Sequence, residues 1–330
     1  MYYVLNGYIE INSKGKAFKI DGFHSVEVEN DIFKINQSCK IQIPTSRRLT
    51  NTDNYPGKSI QAPIPFNRGD KISVWIGYDN DLKLEFDGFI YRVNYKTPLE
   101  IECEGYEFQL RSPCETKTWK ITTVKEVLTY LIAGTDITIN ENVPDISLVK
   151  YVIKAGVNKL QALQELKENT RTECFFMGKS LYIGLAYTID KGAIKYKLGY
   201  NTINADDLKY HNADDVQVKV KAMYVKPDGT NVEVSVGDND GQEHIVKSKN
   251  ISDLDALKGF ASSVLQKYKY SGYEGKIKTF LQPYATPCMK AIIEDPKYPE
   301  RNGTYYITKT KVVVNRSGGR RDVEISIKLS

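Results

Sequence analysis

Apolar and polar residues alternate with a period of two over much of the chain, most clearly between Asp70 and Ser112. Ile72, Val74 and Ile76 stand between polar neighbours, as do Leu82, Leu84 and Phe86, and then Leu99, Ile101 and Cys103. That period sends successive side chains to opposite faces, so these segments read as half-buried antiparallel strands. Asp79-Asn80-Asp81, Asp87-Gly88 and Thr97-Pro98 read as the turns between them. Similar strand signals occur over residues 8–11, 25–28 and 39–44. Between Thr45 and Asn67 runs a loop rich in Asn, Thr, Pro and Gly, of a length at which loops become functional or mobile. Residues 1–112 are therefore expected to form one all-β unit, a small barrel or closed sheet.

The pattern changes after that. Thr123 followed by Glu126 is a capping box, opening a helix with Val124, Val127, Leu128 and Leu131 on its apolar face and Gly134 at its end. Residues 137–139 read as a short strand. Asn158 and Gln161 open a second helix that buries Leu160, Leu163 and Leu166, and residues 173–183 read as a hairpin turning at Gly178-Lys179. Residues 113–188 are thus expected to be an α+β insert. Beyond it, Val216, Val218, Val220, Ala222 and Tyr224 alternate, turn at Pro227-Asp228-Gly229, and return through Val232, Val234 and Val236. Ser252 is placed to cap a helix over 253–268 whose wide apolar stripe suits packing on a sheet. Residues 189–330 read as a second β-barrel unit carrying that helix. The expected fold class is mainly β with an α+β insert: two related small β-barrels flanking a helix-plus-hairpin module.

The relation between the units rests on an echo. Asp87-Gly-Phe-Ile-Tyr-Arg-Val93 and Asn302-Gly-Thr-Tyr-Tyr-Ile-Thr308 both lead into hairpins, returning as Leu99–Cys103 and Val323–Leu329. Generic hairpin chemistry would produce the same echo.

Composition narrows the function classes. A chain of 330 residues is long for one core. No run of about 18 apolar residues is present to span a membrane, and the N-terminus lacks a secretory pattern, so folding in the cytoplasm of its maker is expected. Five dispersed cysteines (Cys39, Cys103, Cys114, Cys174, Cys288) suggest reduced structural thiols. The 23 tyrosines suit half-buried strand positions and interfaces alike. No glycine-rich phosphate loop, nucleophile elbow or metal-ligand spacing of His24, His211 and His244 appears, so no catalytic residue, cofactor or metal is expected. Asp238-Asn239-Asp240 lacks the spaced ligands of a calcium loop and reads as a polar turn. The net charge of +5 is mild, but residues 301–330 carry seven Lys/Arg against two acids. Arg316, Arg320 and Arg321 cap the last hairpin, as a solvated turn or as contacts to phosphate or an acidic partner.

The blocks GDKISVWIGY, FDGFIYRVNY and LEIECEGYEFQLR, the insert VNKLQALQELKENTRTECFFMGKSLYIG and the closing Gly-Thr-Tyr-Tyr-Ile step are similar to a known family. In pattern and order the chain resembles the baseplate hub proteins of contractile phage tails, the late-control-D family of Mu-like phages, which is also seen in the first part of type VI secretion spikes. The resemblance implies a homotrimer whose six barrels form a pseudo-sixfold ring in the virion baseplate, joining the tail tube to a central spike. It implies DNA passage through the ring, with the three arginines as candidate channel contacts, and assembly in the host bacterial cytoplasm. Since no spike or lysozyme segment follows the closing strand, the spike is expected to be a separate polypeptide and no peptidoglycan cleavage is expected. Two other classes stay open on the residues: a carbohydrate- or surface-binding multi-barrel protein, from the tyrosines and the 45–67 loop, and a hydrolase using scattered carboxylates.

Overall fold

The computed structural model describes residues 4–44, 49–51, 66–225, 230–248 and 254–329. The first region supplies β1 (Leu5–Ser13), β2 (Lys16–Asp21), β3 (Ser25–Asp31), β4 (Ser38–Ile43), β5 (Leu49–Asn51), β6 (Lys71–Tyr78), β7 (Asp81–Asn94) and β8 (Leu99–Glu104). Asp79 and Asn80 both take positive φ, as a two-residue hairpin turn between β6 and β7 requires. Asp87-Gly88, in contrast, makes no turn: it lies inside β7. Gly88 is there because a Cβ would sit 2.2 Å from the Glu104 carbonyl oxygen on the neighbouring strand. Most of the 45–67 loop falls outside the described residues, as do the turn at Pro227-Asp228-Gly229 and the cap at Ser252.

A 3₁₀ turn at Tyr106–Arg111 leads into β9 (Lys117–Thr123), α1 (Val124–Ile132), β10 (Thr138–Ile139), β11 (Ser147–Ile153), α2 (Lys159–Thr170), β12 (Glu173–Met177) and β13 (Ser180–Gly184). Both capping boxes form, Thr123 with Glu126 and Asn158 with Gln161. The last region holds β14 (Ala193–Lys197), β15 (Lys209–His211), β16 (Val218–Val225), β17 (Asn231–Gly237), β18 (Gln242–Ser248), α3 (Leu254–Tyr268), β19 (Gly272–Thr279), β20 (Lys290–Glu294), β21 (Gly303–Asn315) and β22 (Gly318–Lys328). The β16–β17 hairpin gains β18 as a parallel third strand, and α3 packs Leu257, Phe260 and Ala261 on it, a core apart from the rest.

Fourteen strands join in one sheet, ordered β15-β19-β22-β21-β3-β4-β8-β7-β6-β1-β2-β5, with β14 and β20 branching from β21. The expected barrels are thus not separately closed among the described residues. Instead β21 carries two partners along one edge, β20 at residues 303–306 and β3 at residues 309–314. The fold is mainly β with a helical insert, as the sequence implies.

The two β units are related in strand order and in register. The first runs β3-β4-β8-β7-β6-β1 and the second β15-β19-β22-β21-β20-β14, so corresponding strands come in the same chain order. Gly69 N–H donates to Ile90 O and Ile90 N–H to Asp70 O; Cys288 N–H donates to Ile307 O and Ile307 N–H to Met289 O. Ile90 therefore corresponds to Ile307. From there Arg92↔Glu102 matches Lys309↔Glu324 and Val93↔Ile101 matches Thr310↔Val323, each just past a bulge. The sequence echo is offset from this register by two residues, a shift that a period-two pattern cannot detect because it keeps every side chain on its face. One strand breaks the match: β1 runs antiparallel to β6, whereas β14 runs parallel to β20.

The insert core, built on Leu128, Leu131, Leu163 and Leu166, reaches Phe89 in the first unit and Tyr306 in the second, which are corresponding residues. Glu107 holds Gln37, whose Nε2 donates to the Phe176 carbonyl of the insert at 2.9 Å. It is fully buried, and Oε1 accepts from the Gln37 and Gly105 N–H groups at 2.8 and 2.9 Å, while Oε2 has no partner among the described residues. Burial pushes its carboxyl up to about 8 against these backbone hydrogen bonds. The folded chain then holds a proton that the unfolded chain releases near the usual carboxylate range, so this group's contribution to stability falls as pH rises towards 8. Urea titrations at pH 5 and 8 should show the wild type losing on the order of 3 kcal/mol relative to Glu107→Gln, whose amide does not titrate. A difference independent of pH would refute this.

Candidate assembly interface

The basic closing hairpin is where sequence placed the candidate contacts, and structure separates its three arginines. Arg316 is exposed in the turn between β21 and β22, on the rim of a cleft of about 780 Å³ that also takes in Tyr8, Phe23 and His24. Arg320 is half-exposed, with its guanidinium over the Phe280 ring at 4.8 Å. Arg321 is 1% exposed, which removes it from the surface contacts expected of it.

Arg321 instead ties the two β units together. Its Nη2 lies 2.6 Å from Glu85 Oε1 and its Nη1 3.2 Å from Oε2, a bidentate pair in which Glu85 is itself buried. Nη1 also donates to the Ala285 carbonyl at 2.8 Å, and the guanidinium sits over the Tyr284 ring. Burial pushes the Glu85 carboxyl up, and Arg321 works against that shift. The alternation of Leu82, Leu84 and Phe86 predicts Glu85 in water, but a bulge intervenes. Val74 pairs with Phe86 and Trp75 with Leu84, so Glu85 is the extra residue. It turns inward while Leu84 becomes 39% exposed.

The other cations of the closing strands are also matched from within. Lys311 Nζ is 2.7 Å from Glu27, and Lys309 is 3.4 Å from Glu29, across the β21–β3 joint. Hydrogen bonding from Lys34, followed by the charge of Lys309, holds Glu29 below its ordinary carboxylate value despite partial burial. Arg301 pairs with Asp295 at 3.3 Å. Among the described residues no carboxylate pairs with Arg316 or Arg320. The acidic partner suggested by the sequence charge asymmetry is therefore largely this chain's own first unit.

The remaining candidate chemistry is spent on structure. Asp238 accepts from Lys269 at 2.5 and 2.6 Å, all five cysteines are buried free thiols, and among the described residues no group of three or more His, Cys, Asp or Glu is placed to hold a metal.

Removing one member of the buried pair strands the other charge. Arg321→Met should cost about 3–5 kcal/mol in chemical denaturation, and Arg321→Met combined with Glu85→Met should recover most of that loss. Additive losses would mean that the two groups do not interact energetically.

No protein-family model and no curated protein matches the sequence. Solved structures do match. A tail protein from Neisseria meningitidis is 14% identical with a TM-score of 0.69, covering 97% of this chain and 96% of its own. A 43 kDa tail protein of prophage MuSo2 from Shewanella oneidensis is 12% identical with a TM-score of 0.64, covering 97% and 98%. An E. coli component of the type VI secretion system is 12% identical with a TM-score of 0.59, covering 98% and 77%. The resemblance read from the strand and helix order thus holds in three dimensions: over nearly its whole length this chain has the fold of phage tail proteins, one shared with a type VI secretion component.

Proposed function

We propose that this protein is a structural, non-enzymatic hub subunit of a contractile tail baseplate or related injection machine. Three copies close a ring in which residues 1–112 and 189–330 of each chain form two ring units and residues 113–188 the insert. One face of the ring meets the sixfold tail tube and the other a threefold spike. The ring sits in the virion tail, is assembled in the host cytoplasm, and passes DNA through its channel. The observation that carries this reading is the duplicated six-strand order, held in register within one chain that has a tail-protein fold. Three chains with two related units each present six near-equivalent surfaces, which is how a threefold assembly adapts to a sixfold neighbour. The paired-off cations leave Arg316 and Arg320 as the tip arginines suited to a channel lining.

Mass photometry of the purified chain, alone and with its cognate spike protein, tests the reading. A species of three times the monomer mass is expected. A monomer at every concentration, with and without spike, would overturn it.

A further inference from the structure

The β21–β3 joint between the two units has an unfilled counterpart. β3 pairs with β4 on one edge and with β21 on the other. Its counterpart β15 pairs with β19 on one edge, and among the described residues no strand pairs with its other edge. Likewise β21 carries β3 beyond the point where β20 ends, while among the described residues no strand does so on its counterpart β7. β6 ends opposite Phe89, and among the described residues no strand covers that edge of β7 from Arg92 onward. Each chain thus has one joint made and the two halves of a second left open among the described residues, one on β15 at the end of the sheet path and one on the overhang of β7 past β6.

We propose that β15 of one copy pairs antiparallel with the outer edge of β7 of the next, repeating between copies the joint that β3 and β21 make within one. The proposal rests on the ring reading and says which edges close the ring. The internal correspondence also fixes the register. Lys309 faces Asp31 in the existing joint. Arg92 corresponds to Lys309, and His211 to Asp31 through Cys39↔Cys103 and Gly275↔Ile325. Arg92 therefore faces His211, Val93 faces Tyr210 and Asn94 faces Lys209; counted on past the two strand ends, Lys96 in a bend comes near Asp207 in a turn.

The side chains along both open edges fit this joint. Tyr95 is 79% exposed and Tyr210 58% exposed, whereas Val312, which corresponds to Tyr95 in the filled joint, is 2% exposed. Aromatic residues left in water at a strand edge suit burial against a second chain. Lys96 near Asp207 repeats the basic-to-acidic sense of Lys311 with Glu27 in the existing joint, and would add to the pairs each already makes within the chain, with Glu100 at 3.0 Å and Lys276 at 3.7 Å. Only three residues of β15 are in strand geometry, against six paired positions in the β3–β21 joint, so this contact is the weaker of the two and suits closure on assembly.

Cysteine pairing in the full-length chain tests the register. Arg92→Cys with His211→Cys, under mild oxidation, should give covalent oligomers ending at the trimer. Arg92→Cys with Lys209→Cys, two residues out of register, should give at least tenfold less of that trimer, because disulfide geometry tolerates little displacement. Lys96→Glu should weaken trimerisation about tenfold through three joints at once, and Lys96→Glu with Asp207→Lys should restore it. A trimer that forms without cross-linking at 92/211, or that shows no rescue by the charge swap, overturns this joint and leaves the ring intact. A wild-type chain that never oligomerises overturns both. Near-native circular dichroism of each variant excludes misfolding as the cause.

Discussion

Arg321 and Glu85 are charges taken out of water, and neither is tolerable there without the other. One sits on β22 near the end of the chain and the other on β7 in the first unit. Their bidentate geometry leaves little freedom in how the units meet. The β21–β3 ladder fixes the same relation through the backbone, and the Lys309 and Lys311 pairs extend it to the surface. An apolar seam could bury comparable area and still slide. Bulge, ion pair and shared strand edge together make sliding costly.

The sequence shows structure plainly where the chemistry is local. Capping boxes at Thr123 and Asn158, the positive-φ turn at Asp79-Asn80 and the alternation of Ile72, Val74 and Ile76 each need only near neighbours in the chain. Features set by distant partners are hidden in it. Asp87-Gly88 looks like a turn until Glu104 is seen pressing against Gly88. Glu85 looks solvated until the bulge opposite Val74 and Trp75 inverts its face. Short strands such as β15, and the parallel pairs β14–β20 and β16–β18, are specified by where the chain returns from and leave little local pattern.

The candidate contacts show the same division. Clustered positive charge on the closing hairpin is plain in the sequence, but its partners lie on β3 and β7, more than two hundred residues earlier. Among the described residues, those at the tip that no carboxylate matches are Arg316 and Arg320, a smaller set than the residue count suggests. The insert, by contrast, touches both units at once. Its core docks on Phe89 and Tyr306, the same position in each, so one module braces both.

The opposed sense of β1 and β14 gives this duplication a direction. Strand order and register agree from β3 to β6 and from β15 to β20, so a partner reading that part of the sheet meets nearly the same surface twice per chain. The strand beyond runs antiparallel to its neighbour and is covered by β2 in one unit, and runs parallel to its neighbour in the other. Parity is therefore encoded in a single reversed strand: the molecule counts to two on one margin and to one on the other.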